Sequence, residues 1–307
     1  MRYHGAMRRI SVFFDEPGFD DYPFDDPEFR ESYTDLAVLL ARKDVEFCIV
    51  RSMKTYLGSA QFSGGWRWDG KAFARIDEPF FLELVWNKEH FIPRGECPVL
   101  NVLELDMLCT DKWETYRTFP DLHPCTILLE NDADVASALQ KIVTEKVVLK
   151  PRDGERGIGV IIAQRSSLPG AIPSYPYLLQ SFIDTSNGVP GLVEGLHDLR
   201  VIVINGDIAC SYARTPPSGS MVANVAQGGK EIHVPIERIP QDLLAHIDTI
   251  DARMRRFAKR IYAVDMGRDF DGKWKIIELN AKPGAPSPKS PHYQRYQSLL
   301  ADLLASA

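Results

Sequence analysis

The chain opens with a short apolar run, Ile10 to Phe14, that reads as a buried strand. A loop rich in Pro, Gly and Asp follows. Phe29, Tyr33, Leu36, Leu39 and Leu40 then share one face of a helix predicted from Asp26 to about Lys43, and Phe47 to Val50 offers a second strand. This strand, helix, strand order predicts an open α/β lobe. Trp66, Trp68 and Phe73 flank Asp69-Gly70, a hairpin-turn signal, and Phe81 to Trp86 returns to strand character. The aromatic cluster reads as a packed hairpin rather than a platform for stacking bases.

The pattern from Val102 to Phe119 is helical and contains Asp111-Lys112; the Pro124 region breaks it. Asn131 or Asp132 can cap a helix running to about Val143. A lobe boundary is expected near Asn101. From Lys146 onward short strands and tight turns take over: Val147 to Lys150, Val160 to Ile162, Tyr177 to Phe182, Leu199 to Ile204 and Ile208 to Ala213. The last two are joined across Asn205-Gly206-Asp207, so a largely antiparallel sheet is expected. Ile247 to Tyr262 reads as an amphipathic helix with basic residues outward, and two further strands enclose Asp269 to Gly272. A Pro-rich stretch runs from Lys282 to Pro291.

Composition narrows the class. With 307 residues, 45% of them hydrophobic and 25% charged, the chain is a globular protein large enough for two or three packed lobes. A net charge of −6 argues against a nucleic-acid-binding surface, which needs a broad field of Lys and Arg. Five scattered cysteines without CxxC spacing suit reduced thiols better than disulfides or a zinc site. No apolar stretch approaches the ~20 residues that span a bilayer, and the run after Arg8 and Arg9 is too short for a signal-peptide core, so a cytoplasmic location is expected.

Three constellations carry chemistry. In KPRDGERGIGV, Lys150 ends a strand and Gly154, Gly157 and Gly159 form a loop whose bare amides can approach an anion. The Lys precedes the glycines and no helix follows them, which excludes a Walker P-loop; alone, such a loop is as readily a hairpin turn. In VDMGRDFDGKWKIIELNAKPG, Glu278 and Asn280 sit two apart on a strand and share a face, and the hairpin lets Asp265 oppose Glu278. Two carboxylates and an amide oxygen suit magnesium, which takes its remaining ligands from water and phosphates. The bland alternative is a solvated strand face, against which stand the apolar neighbours Ile276, Ile277 and Leu279. In the third stretch Asp198 and Arg200 share a face, Arg214 follows on the partner strand and Asn224 precedes Gly228-Gly229. These basic groups are able to steady a phosphate or a carboxylate, while Asp198 with Arg200 would serve equally as a surface ion pair.

Taken in this order, the stretch from about Asp111 to Pro286 resembles the ATP-grasp superfamily, specifically the carboxylate-amine ligases related to glutathione synthetase and to the RimK type. The resemblance implies a mixed α/β (α+β) fold: an N-terminal open α/β lobe (1–100), a small lid lobe (101–182) and a C-terminal antiparallel-sheet lobe (183–307). It implies ATP with magnesium or manganese, and an acyl phosphate that an amine converts to an amide. By position, Lys112 and Lys150 match the nucleotide lysines, Gly154, Gly157 and Gly159 the mobile loop, and Gln180, Ser181, Phe182 and Ile183 the hinge beside adenine. Asp198 matches a nucleotide contact, Arg214 and Asn224 the catalytic face with Arg200 beside them, and Asp265, Glu278 and Asn280 the metal ligands. Three positions depart from the pattern: Ser181 replaces a usual Glu, Val222 replaces a usual Arg, and Lys282 stands where a small residue is common, so it could read an acidic substrate. The implied partners are a small-molecule or peptide carboxylate and an amine, with neither nucleic acid nor membrane involved, and a homo-oligomer is compatible. A kinase acting on a hydroxyl, or a nucleotide-binding module without turnover, would use the same nucleotide grip.

Overall fold

In the computed structural model, residues 8–154, 157–168, 175–221 and 228–306 are described. The first apolar run forms β1 (Arg8–Phe14), joined through α1 (Pro27–Ala41) to β2 (Val45–Arg51), and the two strands pair in parallel as the sequence order predicts. Asp26 starts the helix by accepting the Glu28 amide at 2.8 Å, with Pro27 behind it in the first turn. Three short strands follow: β3 (Tyr56–Gly58), β4 (Gln61–Phe62) and β5 (Gly65–Trp68). The last makes the expected hairpin with β6 (Phe73–Ile76). The segment expected as one strand from Phe81 to Trp86 is instead two, β7 (Phe80–Phe81) and β8 (Leu84–Asn87), which serve different sheets. With β9 (Val99–Leu100) the main sheet has the order β6-β5-β2-β1-β8-β9, while β3, β4 and β7 form a small second sheet.

The single helix expected from Val102 to Phe119 is broken into α2 (Leu103–Thr110) and α3 (Lys112–Thr118). The break is Asp111, whose extended backbone (ψ 99°) stops α2 while its carboxylate accepts the amides of Trp113 and Glu114 to start α3. Then come β10 (Thr126–Leu129), α4 (Ala133–Lys141), β11 (Lys146–Pro151), β12 (Ile161–Gln164) and β13 (Tyr177–Ser181). They build an antiparallel sheet, β10-β13-β11-β12, with a core of its own around Leu129, Ile142, Val147, Leu149 and Leu179. That core begins only at β10: Leu105, Leu108, Phe119 and Leu122 pack into the next lobe instead.

β14 (Asp198–Ile204) and β15 (Asp207–Thr215) form the predicted hairpin across Asn205 and Gly206, whose φ values of 51° and 101° suit a two-residue turn that favours Asn-Gly. β16 (Lys230–His233) adds to one edge; α5 (Gln241–Met254) covers a face; β17 (Ile261–Arg268) and β18 (Trp274–Asn280) complete the order β16-β15-β14-β17-β18. The helix expected over Ile247 to Tyr262 starts earlier, just after Pro240, and ends earlier, because Ile261 onward is a buried strand. α6 (Tyr293–Ala305) was not foreseen; it packs Tyr296, Leu300 and Leu304 into the first lobe's core with Leu36 and Leu40 of α1.

Asn101 fastens the segment leading into α2 to the strands that bear the site. Its amide nitrogen donates to the carbonyls of Ile261 and Ala281, both at 2.7 Å, and its oxygen accepts the Ile261 amide at 2.8 Å. Asn101→Ala would strand three buried backbone groups. We predict a loss of about 2–4 kcal/mol, read as a lower urea midpoint at unchanged slope; an unmoved midpoint would show that these groups find other partners.

Candidate functional site

A cleft of about 530 Å³ opens between the two antiparallel sheets, with the first lobe closing one end. Val148 and Ile162 line it from the smaller sheet, Ile277 and Leu279 from the larger. Of the site residues expected from sequence, Lys112, Lys150, Gly154, Gly157, Gln180 to Ile183, Asp198, Arg200, Arg214, Asp265, Glu278 and Asn280 all border it. Asn224 lies outside the described residues.

Lys150 leaves β11 and crosses the cleft floor, where its ammonium donates to the Ile277 carbonyl at 3.2 Å. Burial pushes its pKa down to about 8; Glu278 opposes the shift and Lys112 adds to it. Lys112 donates to the Gly154 carbonyl at 2.5 Å and stands 3.8 Å from Glu278. Two ammonium groups therefore stand near one carboxylate, with Lys112 the one that pairs with it, a local surplus of positive charge that suits an anionic ligand.

The glycine loop leaves β11 beside these lysines. At Gly159 (φ 76°) a Cβ would meet Pro151 and the Tyr177 hydroxyl, each at 3.0 Å, so the position admits no side chain without displacement. Ile158, at the tip, is exposed and borders the cleft.

The arginines are not free groups on a surface. Arg200 donates twice to Asp265 at 2.6 Å, and Arg214 donates twice to Asp198 at 2.7 Å and once to Asp265 at 2.5 Å. Cross-strand register makes this cluster: Asp198 opposes Arg214, Arg200 opposes Asp265, and Asp265 opposes Glu278. Burial, with Asp265 nearby, pushes Asp198 up to about 7. Burial also works against Asp265, but the two guanidinium groups hold its carboxyl below the usual range. Glu278 is pushed up by burial and by Asp265, with Lys112, Lys150 and Arg200 opposing. Asp198, expected at the nucleotide, borders the cleft and also pairs with Arg214.

The hinge differs from expectation in its details. The Ser181 amide donates to the Cys125 carbonyl at 2.9 Å and the Phe182 amide to the Lys146 carbonyl at 3.3 Å, so both are committed within the fold. The Gln180 side chain donates to Thr126 at 2.7 Å. The donor set for a divalent cation is incomplete without a ligand. Among the described residues no group of three His, Cys, Asp or Glu stands ready to hold a metal. Glu278 and Asn280 share a face of β18; the Asn280 oxygen accepts the Lys282 amide at 2.7 Å and keeps a second lone pair. Asp265 Oδ1 accepts one bond and likewise keeps a lone pair. These oxygens fit a hard cation that draws its other ligands from a substrate.

Sequence reading missed Lys88 and Asp106. Lys88 donates to the Pro283 carbonyl at 2.6 Å, and Lys282 reaches Asp106 at 3.0 Å. Burial and the nearby Lys282 bring Lys88 down to about 7. The available signal was position: Lys88 follows the carboxyl end of the parallel strand β8, where open α/β sheets form their crevices.

A cleft between two antiparallel sheets, with lysines and a glycine loop on one side and a carboxylate-amide strand on the other, defines an ATP-grasp fold. The profile of the RimK-like ATP-grasp domain matches residues 119–290, more than half of the sequence, and the chain belongs to that family. A probable alpha-L-glutamate ligase of Mannheimia succiniciproducens is 30% identical over 196 residues, 61% of this chain and 60% of that protein. One of Legionella pneumophila (strain Corby) is 26% identical over 167 residues, 52% of this chain and 50% of that one. The chain therefore spans about half to three fifths of the length of these curated relatives. Among solved structures, D-cycloserine synthetase DcsG superposes with a TM-score of 0.63 at 12% identity, covering 97% of this chain and 99% of its own. D-alanyl-alanine synthetase A from Vibrio cholerae gives 0.62 at 14%, covering 97% and 98%. At such identities the likeness is one of fold.

The charge state of Lys150 sets a testable dependence. Below about pH 8 the ammonium is intact, and a bound phosphate raises its pKa further. Metal-free ADP is expected to bind several-fold more tightly at about pH 7 than at about pH 9, and Lys150→Met to bind weakly at both, by calorimetry. A flat profile in the unmutated protein would detach Lys150 from the anion.

Proposed function

We propose that the chain is an ATP-dependent carboxylate-amine ligase that forms an amide bond through an acyl phosphate. The observation that carries this reading is the placing of Lys112 and Lys150, with Glu278 as their nearby counter-charge, at the base of a cleft that a glycine loop borders. The names of the curated relatives point the same way, since they are called glutamate ligases. Lys112 and Lys150 hold the phosphates of ATP, and the apolar pairs Val148 with Ile162 and Ile277 with Leu279 enclose the base. With the Ser181 and Phe182 amides committed, the adenine edge is read by carbonyl groups there and by the backbone of Ile183.

Glu278, Asn280 and the free lone pair of Asp265 would hold magnesium or manganese, which when bound neutralises charge on the phosphate oxygens. Arg200 and Arg214, fixed by Asp265 and Asp198, offer their remaining N–H donors to the transferring phosphoryl group and need no rearrangement to do so. The loop from Gly154 to Gly159 excludes water from an acyl phosphate that would otherwise hydrolyse. Lys88 and Lys282, at the end of the cleft closed by the first lobe, face the carboxylate substrate. That substrate is a small molecule or a peptide. Among the described residues no helix is long and apolar enough to cross a membrane.

The test is hydroxylamine trapping. With ATP, magnesium and a panel of carboxylates beginning with L-glutamate, hydroxylamine takes the place of the amine and gives a hydroxamate. ADP release without hydroxamate, accompanied by a phosphorylated hydroxyl, would replace the ligase with a kinase. Glu278→Gln is expected to lower hydroxamate formation by about two orders of magnitude or more while leaving the thermal midpoint near its original value; retained turnover would remove the metal assignment.

A further inference from the structure

Between the lysine and the glycine loop lies Arg152, whose ion pair with Asp111 is not part of the cleft lining. Arg152 follows β11, inside the stretch that sequence reading treated only as loop. Its Nε donates to both oxygens of Asp111, at 3.0 and 2.9 Å, and its Nη2 donates to Oδ2 at 2.6 Å. Asp111 is the residue that breaks the helix before Lys112, and the same carboxylate receives the amides of Trp113 and Glu114. The backbone closes the arrangement: the Lys112 amide donates to the Arg152 carbonyl at 2.9 Å, and the Lys112 ammonium reaches the Gly154 carbonyl. Arg152 is itself tied to the start of the neighbouring strand β13 through its amide, which donates to the Pro176 carbonyl at 3.2 Å.

The position of the pair separates its role from that of a ligand contact. Thr110, Lys112, Pro151 and Gly154 border the cleft on either side, whereas Asp111 and Arg152 stand behind that wall. Two nitrogens of the guanidinium are already turned to Asp111. The pair also joins two bodies that pack separately: α2 and its neighbours belong to the core of the large sheet, and β11 to that of the small one. A bidentate Arg-carboxylate fork fixes orientation as well as distance, which a single lysine in the place of Arg152 would not.

We infer that Arg152 is a positioning residue for nucleotide binding: through Asp111 and its own carbonyl it sets the start of α3, and thereby holds Lys112 against the entrance of the glycine loop. The inference rests on the reading of Lys112 as a phosphate-binding group. Without the strut, Lys112 keeps its charge but loses its fixed place, so binding weakens while the chemistry of a saturated enzyme continues.

ADP affinity by calorimetry, and KM and kcat for ATP in the trapping assay, test this with Arg152→Met, Asp111→Asn and the double variant. Asn still caps a helix, so Asp111→Asn removes the ion pair and spares the cap. Each single variant is expected to weaken ADP binding about tenfold and raise KM for ATP likewise, with kcat within about twofold; the double variant should match the singles, because partners in one contact are not additive. Arg152→Lys should recover part of the loss. Wild-type ADP affinity in Arg152→Met, or a double variant showing the product of the two effects, would overturn the inference. A thermal midpoint that falls while affinity stays constant would overturn it as well, by marking the pair as merely structural. If the unmutated protein binds no ADP, the phosphate reading of Lys112 fails first, and that outcome is distinct from a wild-type grip that ignores Arg152.

Discussion

The larger sheet is organised around charge that cannot be left alone. Asp198, Asp265, Arg200 and Arg214 meet across three strands, with Asp265 only 2% exposed and Asp198 4%. Two carboxylates against two guanidinium groups make the cluster neutral, and removing any one member would leave an uncompensated buried charge, a far larger cost than the cluster's own net contribution. The register of β14, β15 and β17 is therefore held by electrostatics as well as by the alternation of Val201, Val203 and Val264 behind it. Next to this neutral frame, Lys112 and Lys150 outnumber Glu278. The cleft is balanced where it must be rigid and unbalanced where it must attract an anion.

The lobes share that logic of attachment. The small sheet has a separate core, and a body with its own core can shift as a unit without unpacking its neighbours. What ties it to the large lobe near the site is polar: the Arg152 fork, the Lys112 ammonium on Gly154 and the Lys150 ammonium on Ile277. The first lobe is joined more firmly, since α6 and the strands β14, β15 and β17 contribute apolar side chains to its core.

Much of this was legible in the sequence because it is local. The hairpins at Asp69-Gly70 and Asn205-Gly206 follow from turn chemistry, and the shared face of Glu278 and Asn280 from strand alternation. Asp265 opposite Glu278 followed from the length of one connection. What was not legible depends on residues far apart in the chain. The end of α2 at Asp111 is a matter of capping and of Arg152, some forty positions away. α5 was displaced because the apolar spacing continues through Ile261 and Tyr262, where pairing with β14 claims the chain for a strand. The pairing of Arg214 with Asp198 was not legible either, because it depends on the sheet register.

The packing of α6 has a bearing on how the protein is made. Leu36, Leu40 and Phe47 are made well over two hundred residues before the side chains that cover them, Tyr296, Leu300 and Leu304. A nascent chain cannot close its first lobe as that lobe emerges; the apolar face of α1 and its sheet stays open until α6 clears the ribosome. Chains interrupted upstream of α6 would carry that open face and would be natural clients for chaperones and proteases, so the first core to be made reports whether synthesis has reached α6.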